Sequence, residues 1–162
     1  KDGSTKGWGY NGGYDFLNTG TTSSNNYQKV AVSLNYLNNV TKMQAGGGQN
    51  ESTGIAWSCV TDDNEVFTAG YNSNYQRGYG VNGNPPSGHG YTWERTISTT
   101  NGQFHGRIID ITSKGYGSNN HNHALTDDFE AFSWGYNGHY AVSGLWPSHN
   151  YALPMKWTGA SY

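Results

Sequence analysis

The stretch Thr126-Asp127-Asp128-Phe129-Glu130-Ala131-Phe132-Ser133-Trp134-Gly135-Tyr136-Asn137 decides the fold, because the chain carries its last four residues three times. Trp8-Gly9-Tyr10-Asn11 is the first copy, and Ala69-Gly70-Tyr71-Asn72 is the second, with Ala in place of Trp. The copies start 61 and 65 residues apart. A word recurring at nearly constant spacing is the signature of a repeat protein. The agreement extends upstream: Thr61/Thr126, Asp62/Asp127, Asp63/Asp128, Glu65/Glu130 and Phe67/Phe132 share an offset of 65.

Working outward from these words, period-2 alternation and turn residues predict short strands. Tyr27–Leu34 sets Val30, Val32 and Leu34 against Lys29, Ala31 and Ser33. Val40 and Met43 belong to a strand that stops at Gly46-Gly47-Gly48. Gly54–Thr61 and Glu65–Gly70, joined by Asp62-Asp63-Asn64, read as a hairpin. The order then recurs: Tyr91–Ile97, the strand of Ile108 and Ile111, and a hairpin across Asp127-Asp128-Phe129. Leu153–Trp157 reads as the opening strand of one more repeat. The expected division is therefore the end of a first repeat at 1–20, a second at 21–81, a third at 82–145, and an opening strand at 146–162. Each complete repeat is expected to form one four-stranded antiparallel sheet. Ile55, Trp57 and Cys59 alternate with Ala56 and Val60, so both faces are apolar and other sheets must cover them. Radial stacking, as in a β-propeller, is the architecture that does so.

Composition supports an all-β fold. Among 162 residues there are 24 Gly, 13 Tyr and 6 Trp, and only 12% are charged. Many aromatics with few charges argue against disorder, and abundant Gly, Asn and Ser imply many tight turns. No helical periodicity appears, and no apolar run approaches the ~18 residues of a membrane-spanning helix, so no membrane insertion is expected. A net charge of −2 gives no electrostatic reason to expect nucleic acid as a partner. Cys59 is the single cysteine, which excludes an intrachain disulfide framework. The polar, weakly charged composition suits an extracellular or virion protein.

The block VTDDNEVFTAGYNSNYQRGYG (60–80), echoed by ALTDDFEAFSWGYNGHYAVSG (124–144), resembles the regulator of chromosome condensation repeat. That family's repeat runs approximately A-L-T-x-D/E-G-x-V-Y-x-W-G-x-N-x-x-G-Q-L-G, and the resemblance implies β-propeller blades. Three departures matter. The family's turn glycine is Asn64 in one hairpin and Phe129 in the other. Asn tolerates a left-handed backbone and Phe does so poorly, so a different turn is expected at Phe129, with its ring exposed or in a contact. The family's glycine six residues after the Trp is Tyr in every copy: Tyr14, Tyr75 and Tyr140. The family's closed propellers normally have seven blades, whereas this chain supplies just over two. Its end sheets need covering, either by further repeats or by copies associating head to tail, and self-association is the expectation. The orphan strand around Trp8 would then need a partner from another chain, or from the far end of this one.

Chemistry-bearing residues are few. Asp62-Asp63 and Asp127-Asp128 could be acid/base pairs, but both fall where turn chemistry alone explains Asp. His121 and His123 share a strand face, yet no third ligand stands at a telling spacing, so neither a metal nor any other cofactor is expected. Cys59 lacks a nearby base, and no nucleophile elbow or phosphate loop is present. Asn39-Val40-Thr41 and Asn50-Glu51-Ser52 satisfy the glycosylation pattern. The aromatic residues are the binding candidates, since Tyr and Trp combine an apolar face with a polar handle. Tyr14, Tyr75, Tyr140 and Trp146 are expected to form a surface for a host glycan or protein; Trp8, Tyr10 and Trp157 are expected to mediate self-association. The reading is a non-enzymatic binding and assembly module such as a phage tail-fibre or decoration domain. The alternative is a fragment of an intracellular propeller regulator resembling guanine-nucleotide exchange factors.

Overall fold

The two predicted hairpins form, and they are built alike. Thr61 N–H reaches Glu65 O at 3.0 Å and Asn64 N–H reaches Thr61 O at 3.1 Å; Thr126 N–H to Glu130 O (2.9 Å) and Phe129 N–H to Thr126 O (3.0 Å) repeat the arrangement. In each turn the threonine hydroxyl donates to the second aspartate, Asp63 or Asp128, which fixes the carboxylates as turn residues. Phe129 therefore does not take a different turn. It is held left-handed at φ 64° beside φ 67° for Asn64, because the surrounding hydrogen bonds dictate the backbone, while its ring stands 87% exposed.

These observations come from a computed structural model, which describes residues 3–10, 27–46, 56–78, 90–96, 106–115, 119–138, 142 and 151–157. The strands are β1 Ser4–Tyr10, β2 Tyr27–Asn38, β3 Val40–Ala45, β4 Ala56–Thr61, β5 Val66–Gly70, β6 Gly90–Arg95, β7 Ile108–Lys114, β8 His121–Thr126, β9 Ala131–Gly135 and β10 Tyr151–Lys156. They form three antiparallel sheets: β1-β2, β3-β4-β5-β6 and β7-β8-β9-β10. The fold is all-β.

The sheets do not coincide with the sequence repeats. The expected opening strand of the second repeat, β2, pairs with β1; likewise β6 closes the second sheet and β10 closes the third. Two sequence expectations are corrected by this. The strand carrying Trp8 is not an orphan, since Ser4↔Asn38 to Tyr10↔Tyr27 pairing finds its partner in the next strand of the same chain. The segment ending at Trp157 does not begin a sheet but completes one, with Met155 opposite Ser133.

Alternation on β4 shows how the sheets stack. Cys59 packs with Leu34, Leu37 and Ala69 toward the first sheet, whereas Val60 packs with Val66, Ile108, Ile111, Ala124, Phe132 and Trp134 toward the third. A strand buried on both faces needs apolar or paired side chains at every position. Ser58, buried between Trp57 and Cys59, meets this condition through Ser113 Oγ at 2.7 Å.

The left-handed aromatic at Phe129 gives a direct prediction. Phe129→Asn, which copies the other hairpin, is expected to stabilise the chain by about 1 kcal/mol, since a residue other than Gly, Asn or Asp is strained there by roughly that much. Urea unfolding of the two proteins measures it; a loss of stability would mean that the exposed ring makes a favourable contact.

Candidate functional site

Where the second and third sheets meet, one tryptophan is read by the loop of the preceding sheet. Trp134 is fully buried, and its indole Nε1–H donates to Gln76 O at 3.1 Å. Asn122 Nδ2 donates to the same carbonyl at 2.7 Å. The loop is shaped by Asn72, whose Oδ1 accepts the Arg77 N–H at 2.9 Å, and by Gly78, whose N–H reaches Tyr75 O at 3.0 Å. Gly78 is required twice over. Its φ is +68°, and a Cβ there would lie 2.6 Å from Trp134 Cδ1 and 2.9 Å from Thr96 Cγ2. Thr68 and Thr96 hydroxyls both donate to Arg77 O, at 2.8 and 3.2 Å, and close the rim of this socket.

Three further contacts bind the same two sheets. Asn64 Nδ2 donates to Gly106 O (3.1 Å) while its Oδ1 accepts Ile108 N–H (2.7 Å), so the turn asparagine also clamps the next sheet. Ser113 donates to Asn122 Oδ1, which leaves Ser58 as the donor in the Ser58–Ser113 pair. Lys42 and Asp110 form a solvent-exposed ion pair at 3.2 Å, of the kind that contributes little to stability.

Neither end of the stack is like its middle. On the first sheet Trp8 holds the place of Trp134: the glycine after it has φ 108°, against 104° at Gly70 and 100° at Gly135, yet Trp8 is 71% exposed. On the third sheet the face turned away from the second carries His121, His123, Leu125 and Ser133. Trp157, 46% exposed, donates from Nε1 to Ser133 Oγ at 2.6 Å. Ser133 Oγ lies 2.6 Å from His123 Nδ1, so this one hydroxyl links the indole to the imidazole. Burial, followed by the charge of His121, pulls the His123 pKa below its ordinary 6.5. Burial likewise lowers His121, with a backbone hydrogen bond at Asn119 opposing it. The rings meet edge to face at 5.1 Å.

The sequence candidates fall as follows. Tyr75 lies in the socket loop with φ 63°, so this tyrosine occupies the left-handed backbone that suits the family's glycine; it is half-buried. Tyr14, Tyr140 and Trp146 lie outside the described residues. Tyr10 pairs with Tyr27 in the β1–β2 ladder. Trp8 and Trp157 lie on opposite end sheets. Cys59 is buried, and burial pushes its thiol up to about 12 against a backbone hydrogen bond from Phe67 that lowers it, so it is an inert core thiol. The sequence reading did not find the socket. A signal for it was present: the Gly78 position, counted from the repeated Asn, is Leu17 in the first copy, and the tryptophan that follows that copy is reduced to Ala69.

Two predictions concern these contacts. Trp134→Ala is expected to cost about 3–5 kcal/mol in urea unfolding. Gly78→Ala is expected to cost at least ~2 kcal/mol, from backbone strain and overlap together, and the two losses should sum to more than that of the double variant, because they share one contact. The histidines set a pH dependence. Their folded pKa values lie below the unfolded value, so the unfolded chain binds more protons as pH falls through about 6.5, and stability declines on the acid side. Thermal unfolding between pH 8 and pH 5 should show this loss, and His123→Gln should flatten it.

No family model matches the sequence, and no curated protein matches it. Solved structures do match. Human WBSCR16 aligns with a TM-score of 0.65 at 21% identity, covering 98% of this chain and 36% of that one. Prp20p from Saccharomyces cerevisiae, studied for its binding to Gsp1p and histones, gives a TM-score of 0.67 at 14% identity, covering 98% and 35%. Yeast RCC1 (Prp20) bound to Kap60 gives 0.62 at 18% identity, covering 98% and 34%. The chain thus spans about a third of the length of the proteins it matches. Blade stacking, the shared hairpin and these neighbours agree: the chain is built on the RCC1-type β-propeller repeat fold, in an incomplete version.

Proposed function

We propose that this chain is a non-enzymatic binding and assembly module that engages protein through the exposed Trp8 of its first sheet. The observation that carries this reading is Trp8, 71% exposed in a backbone setting whose counterpart, Trp134, is fully buried against another sheet. A large exposed aromatic on a sheet is the kind of anchor that dominates protein interfaces. Three of the turn carboxylates are engaged in local hydrogen bonds. Asp63 and Asp128 accept from their turn threonines, and Asp127 Oδ1 accepts the Arg107 N–H at 2.8 Å.

The neighbours support protein partnering more than a glycan ligand, because Prp20p was studied with Gsp1p and histones and was solved with Kap60. They also favour the second reading, part of an intracellular propeller regulator resembling exchange factors, over a virion or extracellular setting. Binding measured by calorimetry against Gsp1p, histones and Kap60, alongside a glycan array, tests both. The expected outcome is protein binding that weakens at least about tenfold on Trp8→Ala, the range of an interface hot spot. Glycan binding without any protein binding, or protein binding indifferent to Trp8, would overturn the proposal.

A further inference from the structure

His121 and His123 stand two residues apart on β8, so both side chains rise from one face of the third sheet. Their rings meet edge to face, with centroids 5.1 Å apart and planes at 75°. The repeat does not ask for imidazoles here. In the second sheet the matching positions are Ala56 and Ser58, which oppose Gly70 and Thr68 as His121 and His123 oppose Gly135 and Ser133. Two large polar rings thus replace two small side chains at unchanged register, and core packing gives no reason for the exchange.

One nitrogen of each ring is turned into the protein. His123 Nδ1 lies 2.6 Å from Ser133 Oγ, and the Trp157 indole N–H holds that oxygen in turn at 2.6 Å. Ser133 is fully buried, so this contact fixes the orientation of the His123 ring. His121 Nδ1 is buried as well. That leaves the two Nε2 atoms, neither of which is hydrogen-bonded among the described residues. Gly135, opposite His121, adds no side chain on this face, and the partners on β7 are Lys114 and Thr112. Among the described residues no third histidine, cysteine, aspartate or glutamate joins the pair. The donor set is therefore two imidazoles with no carboxylate to attract Ca²⁺ or Mg²⁺, a set that suits zinc, copper and nickel ions.

We propose that His121 and His123 chelate one divalent transition-metal ion of the zinc class through their Nε2 atoms, with Ser133 as the positioning residue behind His123. Ligation through Nε2 puts the His123 ring proton on Nδ1, from which it donates to Ser133 Oγ. A hydroxyl oxygen has two lone pairs, so Ser133 accepts from the imidazole and the indole together. A hydrogen bond to the second nitrogen of a ligating histidine orients the ring and raises its basicity. Both ligands stand on one strand, so binding does not have to order a loop, and two protein ligands leave the remaining coordination positions to water. The ligands and their support lie within one sheet, which makes this site independent of the protein binding proposed for Trp8.

Calorimetric titration of the purified chain with Zn²⁺, and with Mg²⁺ for comparison, tests this. Zn²⁺ should bind with a Kd well below about 1 mM, and Mg²⁺ should not bind. His121→Ala and His123→Ser copy the residues of the second sheet and are expected to fold, which urea unfolding without metal checks. Each should weaken Zn²⁺ binding at least about tenfold. Ser133→Ala should weaken it roughly tenfold, and Ser133→Thr, which copies Thr68, should restore it. Nitrogen NMR of the imidazoles gives a second readout: Zn²⁺ should shift the Nε2 resonances of both rings and leave His123 Nδ1 as the protonated nitrogen. Zn²⁺ binding that persists with both histidines replaced, ring resonances that do not respond, or no binding at about 1 mM Zn²⁺ would overturn the proposal.

Discussion

The stack depends on two buried donors, the Trp134 indole N–H and the Asn122 amide, meeting one backbone acceptor, the carbonyl of Gln76. A main-chain carbonyl is an acceptor whatever the side chain, so this contact does not specify Gln76. It specifies the loop that puts the carbonyl there. Asn72 holds that loop from below and Gly78 keeps its surface free of a Cβ, so the identity of three residues is tied to one bond. An unpaired indole N–H in a dry interface would carry its full desolvation cost, which is why the socket cannot drift while the tryptophan stays. Everything else between the two sheets can adjust around this fixed point.

How much of this was legible depended on whether a residue acts within its own strand or across sheets. The hairpins, the glycines of the repeated word and most strand positions follow from local rules: Asp and Asn make turns, and alternating apolar residues make half-buried strands. Phe129 shows where local preference loses. Its side chain disfavours the turn, but the hydrogen bonds of Thr126 and the strands on either side impose the same backbone that Asn64 adopts with ease. The strand read from Tyr27–Leu34 joins a different sheet from the one its spacing implies, for a related reason. Spacing along the chain groups a strand with the residues after it, whereas pairing groups it with the strand before it, and no periodicity distinguishes these. The candidate aromatics divided likewise: exposure at Trp8 and the inward reach of Trp157 are properties of neighbouring sheets, not of either strand.

The two ends of the chain therefore differ in kind. The first sheet presents an exposed tryptophan, Trp8, on a regular strand. The last sheet has turned its own residues inward on Ser133, where an indole, a hydroxyl and an imidazole are linked by hydrogen bonds. Burial holds the His123 pKa below its ordinary value, so that end carries a titratable group where the first sheet carries an aromatic.

The one-strand offset between repeat and sheet has a consequence for how chains of this kind change over generations. Each sheet takes its last strand from the repeat that follows, so consecutive repeats are sewn together like overlapping tiles. Duplication or loss of one whole unit of 61 or 65 residues then leaves every interior sheet with its full set of strands, wherever in the unit the breakpoints fall. Sheets on either side of the change meet new neighbours, so selection on the joints is concentrated in the few side chains through which one sheet recognises the next.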